Sequence, residues 1–134
     1  MPMTEPDSRK FAPATQRNRE PILSVLQEVL SQQGLVLEIS SGTGEHAIFF
    51  APQLPHLYWL PSDPDPTALE SIRAWQQEQP TQTLLPPISL DVSQPHWPEQ
   101  VHLQMAQPPL IDVPISAIVN VNMIHISPWR ATLG

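Results

Sequence analysis

Between Glu20 and Gln33 the apolar residues Ile22, Leu23, Val25, Leu26, Val29 and Leu30 recur at helical spacing. Pro21 suits a first turn and Gly34 stands just past the end, so the pattern predicts one bounded helix. LVLEI, residues 35–39, is apolar and too short for a helix, and predicts a buried strand. EHAIFFA then opens a second helix directly from the intervening loop. LYWL (57–60) predicts a second strand, and the Pro/Asp alternation of PSDPDP fixes a turn that starts a helix over 67–79, with Leu69, Ile72 and Trp75 on one side. ISLDV (88–92) predicts a third strand, PEQVHLQMA a short helix and SAIVNVNMI (116–124) a fourth strand. Ser127 and Pro128 have the form of a cap and first residue of a further helix.

Helices alternating with apolar strands imply an α/β fold of right-handed βαβ units: a Rossmann-like, mostly parallel sheet of about four strands. A doubly wound nucleotide-binding sheet has two halves, and this pattern supplies material for one, so the second half is expected to be missing. With 134 residues, the chain is expected to form a basic amino-terminal arm (1–19) and one partial cofactor-binding domain (20–134). Four of the six basic residues, Arg9, Lys10, Arg17 and Arg19, lie in the arm, while eleven of the thirteen carboxylates follow it. So acidic a body repels phosphate backbones, which argues against general nucleic-acid binding. The chain has no cysteine, which excludes a thiol nucleophile, a disulfide framework and a thiolate metal site. Its first residues lack a signal-peptide layout and no apolar run is long enough to span a membrane, so the reading is of a cytoplasmic protein.

The chemistry concentrates in EISSGTGEHA, 38–47. Gly42, Gly44 and Ala47 satisfy G-x-G-x-x-A between a strand and a helix, and Asp63 follows the second strand, where a carboxylate accepts both ribose hydroxyls. A phosphate-cradling P-loop is excluded, because no Gly-Lys-Ser/Thr occurs and no lysine lies beyond Lys10. Two ligands remain: a dinucleotide and a sulfonium nucleoside. Glu38, four residues before Gly42, separates them. At about 5 Å and an effective dielectric near 20, each like-charge pair between a pyrophosphate and this carboxylate costs roughly 3 kcal/mol, whereas a cationic ligand is attracted.

Glu38-Ile39-Ser40-Ser41-Gly42-Thr43-Gly44 resembles the first motif of class I S-adenosylmethionine-dependent methyltransferases, acid-x-Gly-x-Gly-x-Gly, with Ser40 in place of the first glycine. Asp63 matches the acid after the second strand, Asp91-Val92 the motif facing the adenine amino group, and Asn120 or Asn122 the fourth-strand motif. The ordered segments RNREPIL, LEISSGTGEHA, WLPSDPDP, LDVS and IVNVNMIHISPW are similar to the methyltransferase-like-26 family, whose members continue beyond the last of them. The resemblance implies S-adenosylmethionine as cofactor, with Glu38, Ser40, Gly42, Gly44, Asp63, Asp91, Val92 and Asn122 around it, and Arg17 and Asn18 in an arm that closes over it. It leaves the methyl acceptor unnamed.

Outside that set, His125 follows the fourth strand at the ligand-binding edge and is the candidate general base. The five histidines have no metal-ligand spacing, and His46, in the first turn of a helix, reads as a neutral packing residue. The leading expectation is a methyltransferase-like enzyme. Its rivals are a non-catalytic ligand-binding remnant that oligomerises through an exposed fourth strand, and an NAD(P)-dependent oxidoreductase.

Overall fold

The computed structural model describes Arg9 and residues 13–30, 33–105, 115–120 and 125–127. In chain order the elements are α1 (Pro13–Val29), β1 (Gly34–Glu38), α2 (Glu45–Gln53), β2 (Leu57–Asp63), α3 (Pro66–Glu78), β3 (Ile88–Ser89), α4 (Trp97–Met105), β4 (Ile115–Asn120) and β5 (His125–Ser127). They build a five-stranded sheet of order β3-β2-β1-β4-β5. The first four strands are mutually parallel and β5 returns antiparallel along β4. The fold is therefore Rossmann-like α/β, and strand order reverses between β1 and β4. In such sheets that reversal opens a crevice beyond the carboxyl ends of the two strands.

Both faces of the sheet are covered, which is why all five residues of β1 are buried rather than alternating. On one face Val36, Leu57, Trp59 and Val119 pack with Leu26 of α1, Phe50 of α2 and Trp75 of α3. On the other, Leu35, Leu37, Leu60 and Ile118 pack with Val101 of α4. Asp65 caps α3 by accepting from the Thr67 N–H at 2.9 Å, while His56 Nε2 meets the Leu30 carbonyl at 2.7 Å and ties the end of α1 to the approach to β2. No helix among the described residues is long and apolar enough to cross a membrane.

Several boundaries depart from the sequence expectation. The first helix begins at Pro13, so it runs through positions 19 and 20, and Pro21 lies inside it. Pro21 is exposed, and the Arg17 carbonyl that its missing N–H cannot serve can turn to water. Gly34 opens β1 instead of ending α1, and the third strand stops at Ser89. The fourth strand is not an exposed edge: Ile118, Val119 and Asn120 pair with Ser127, Ile126 and His125 of β5. Ser127 accordingly sits in a strand ladder and not at a helix cap, because the chain reverses after β4 where a helical crossover was expected.

Gly44 sets how closely the helices approach. Its φ is +89°, and a Cβ there would stand 3.0 Å from the Ile72 Cα on α3. Gly42, with φ +61°, would direct a Cβ into open space. Gly44→Ala is therefore expected to cost about 2–4 kcal/mol in urea denaturation, through both backbone strain and overpacking, and Gly42→Ala about 1–2 kcal/mol, through strain alone. Equal losses would contradict this division of roles.

Candidate functional site

The loop 39–44 is stitched to the end of β2 by a set of short hydrogen bonds. The Ser41 N–H donates to the Ser62 carbonyl at 2.8 Å, and the Ser62 N–H returns to Ser41 Oγ at 2.9 Å. Ser62 Oγ and Ser41 Oγ both donate to the Glu38 carbonyl, at 2.7 and 3.3 Å. Asp63 completes the arrangement: Oδ2 accepts from the Gly42 N–H at 3.0 Å and Oδ1 from the Asp65 N–H at 2.9 Å. On the far side Ser71 Oγ of α3 donates to the Thr43 carbonyl at 2.6 Å. The turn is thus held at three points, through Ser41, Gly42 and Thr43. Ser40, at the position resembling the family's first glycine, has φ +53°, a left-handed conformation that costs a non-glycine residue about 1–2 kcal/mol.

Glu38 is 1% exposed. Its side chain lies on the same sheet face as Val36, and Trp59 Nε1 donates to its Oε1 at 3.1 Å. The carboxyl is therefore not an open charge at the mouth of a pocket, as the sequence reading had it, but a buried acid behind the loop. Burial drives its pKa from 4.5 up to about 7, opposed by hydrogen bonds from Trp59 and Ser41 and reinforced by the neighbouring Asp63 carboxylate. Trp59 continues into an aromatic stack, tilted against Phe50 at 5.7 Å, with His46 parallel to Phe50 at 5.3 Å. Burial also depresses the pKa of His46, in keeping with a neutral packing role.

Two buried polar atoms among the described residues lack a hydrogen-bond partner: His46 Nε2 and Asn120 Oδ1. His46 is in the first turn of α2, where its ring stacks on Phe50, and Asn120 is the last residue of β4. Buried polar atoms are ordinarily satisfied, so each of these is an exception within the described residues.

A family model described as protein of unknown function (DUF938) matches residues 9–134. The chain belongs to the DUF938 family. Within this DUF938 chain the structure gathers Glu38, Ser40, Gly42, Gly44 and Asp63 at the carboxyl end of β1 and β2, and Asn120 at the end of the adjacent β4. Asp91 lies beyond β3, where its Oδ1 accepts from the Ser93 N–H and Oγ at 2.9 and 2.6 Å, and these bonds hold its pKa low. Val92 beside it is exposed. Arg17 and Asn18 are exposed on α1. Asn122 lies outside the described residues, and of His125 the structure describes only its backbone place opposite Asn120.

Three features of the DUF938 chain were not anticipated from sequence. Trp59 reaches Glu38 because it sits on the same face of β2, two residues before Pro61, the register partner of Glu38. Ser41 and Ser62 act as a reciprocal latch. Two arginines of the arm lie over aromatic rings: Arg19 stands 4.5 Å over Phe49 and Arg9 5.0 Å over Trp75, and Arg19, Phe49, Trp75 and Glu45 line a groove of about 250 Å³ on the helical layer.

The buried acid makes stability depend on pH in a defined direction. Folding favours the protonated Glu38, so its contribution is complete below pH 4.5 and declines as pH rises through about 7, then levels off. Glu38→Gln mimics the neutral form. It is expected to stabilise the fold by about 3 kcal/mol at pH 8 and by little at pH 4.5, read from urea midpoints at both values. A wild type and variant with parallel pH profiles would contradict the assignment.

Proposed function

We propose that this chain binds S-adenosylmethionine over the carboxyl ends of β1, β2 and β4 and serves methyl transfer to an acceptor, as its resemblance to methyltransferase-like-26 proteins implies. The observation that supports this most is the hydrogen bond from the Gly42 N–H to Asp63 Oδ2. A pyrophosphate loop leaves its glycine N–H groups free for anionic oxygens. Here that N–H is already given to a carboxylate, and a pyrophosphate would have to displace it and lie against it. At about 5 Å and an effective dielectric near 20 each such pair costs roughly 3 kcal/mol, and residues 38–47 contain no lysine or arginine to offset it. Asp63, and not the more deeply buried Glu38, is the carboxylate that a dinucleotide would meet at this loop.

The residues fit the sulfur nucleoside. Asp63 uses one acceptor site on each oxygen for the loop and retains others for the two ribose hydroxyls. The open space above Gly42 admits close approach of a ligand to the backbone. Asn120 Oδ1 and His46 Nε2 offer unsatisfied polar contacts. The cofactor supplies a methyl group already activated by its sulfonium, so the transfer needs no dedicated acid. What the protein provides is orientation of the two reacting groups and exclusion of water.

Titration calorimetry is expected to show binding of S-adenosylhomocysteine that weakens about 10- to 100-fold in Asp63→Asn, since one charged acceptor of ribose hydroxyls is lost. Binding of NADH together with no binding of S-adenosylhomocysteine would overturn the reading.

A further inference from the structure

Between α2 and α3 lies the groove of about 250 Å³, whose lining includes Arg19, Glu45, Phe49, Gln53, Trp75 and Gln79. Its described lining residues include none from the glycine loop or from a strand, so it is separate from the crevice at the strand-order reversal. Its walls offer two aromatic faces, Phe49 and Trp75, and its loop-proximal end carries the buried carboxylate of Glu45. Rings and an acid together make a receptor for guanidinium groups. Two such groups stand on these rings. Arg19, half-buried on α1, lies 4.5 Å over Phe49, and Arg9, half-buried ahead of α1, lies 5.0 Å over Trp75. One contact falls on α2 and the other on α3, so the chain from Arg9 to Arg19 reaches both walls.

We propose that this groove is the docking site of the chain's own basic arm, residues 1–19, which clamps α2 against α3 through Arg9 and Arg19 and does not close over the crevice. The clamp is independent of what the crevice binds. Charge selects the occupant. Residues 1–19 carry four basic side chains against two carboxylates, whereas the rest of the chain carries two basic side chains against eleven carboxylates. Tethering selects it too. A cation on a half-buried ring is a weak contact, and two of them fall short of holding a separate peptide at micromolar concentration. Arg9 stands only four positions before Pro13, the first residue of α1, and so short a tether raises the effective concentration to roughly millimolar, where such contacts persist. The clamp bears on the glycine loop, because α3 meets Gly44 at Ile72 and holds the Thr43 carbonyl through Ser71. Trp75 follows Ile72 on the same buried side of α3, so Arg9 presses on the helix one turn beyond that contact.

The chain has no cysteine, so Ser8→Cys gives a single attachment point for a nitroxide on the full chain. Paramagnetic broadening of amide signals is expected to be strongest at Phe49, Gln53, Trp75 and Gln79, and weaker at Ser40, Gly42 and Asn120. Adding Arg9→Gln and Arg19→Gln, both at side chains that are not fully buried, is expected to lower the ratio of docked to free arm about tenfold and to raise amide exchange over residues 46–49 about two- to tenfold. Broadening centred on Ser40, Gly42 and Asn120 would put the arm over the crevice and overturn the proposal. Groove broadening that survives the double substitution would overturn it as well, and unchanged exchange in α2 would overturn the clamping. A mixture of isotope-labelled chain without nitroxide and nitroxide-bearing chain without isotope is expected to show no broadening; broadening there would assign the groove to the arm of a second copy. Should the double substitution fail to fold, the pattern of broadening in the otherwise unaltered chain and in the mixture still decides.

Discussion

A single carboxyl group, buried where the central strand ends, organises this site. Glu38 has to lie behind the glycine turn because β1 is covered on both faces, so the residue that follows Leu37 on the Trp59 side has nowhere solvated to go. The protein accommodates it by aiming the Trp59 indole at one oxygen and by saturating its backbone carbonyl with two serine hydroxyls. Leaving an acid there opposes folding above its unfolded pKa, since the charged form is stripped of water. Stability surrendered at one position, with the neighbouring loop tightly fixed, is a common property of functional sites.

Asp63 plays the complementary part. It faces the loop from β2, keeps both oxygens on backbone N–H groups, and so decides which face of the turn is available to a ligand. Asp63 puts a carboxylate against the loop, where further negative charge is repelled. Gly42 keeps the space above the turn open, while Gly44 lets α3 close against it.

Much of the fold was legible because it depends on local pattern. LVLE and LYWL read as strands by apolar continuity, and α3 by its Asp-Pro entry and the spacing of Leu69, Ile72 and Trp75. The glycine turn and Asp63 were legible because strand, turn and acid recur at a spacing that the topology requires. What escaped depended on contacts between segments distant in sequence. Helix α1 begins seven residues before the expected start at Glu20, since PATQRNR has no apolar stripe to announce it. The hairpin from β4 into β5 was masked by Ser127-Pro128, which reads locally as a cap. The burial of Glu38 was invisible because its register against Pro61, and with it the reach of Trp59, is set only when the strands pair. Asn120, whose side-chain oxygen is left unsatisfied, was less prominent than Asn122 because alternation alone does not tell which residue ends a strand.

The most direct measurement is a carbon-13 NMR titration of the Glu38 side-chain carboxyl, assigned by its disappearance in Glu38→Gln. A midpoint near pH 7 is expected, the result of enclosing the carboxyl in the core. A midpoint close to 4.5, the value of an ordinary solvated glutamate, would contradict the burial of this acid as the organising constraint.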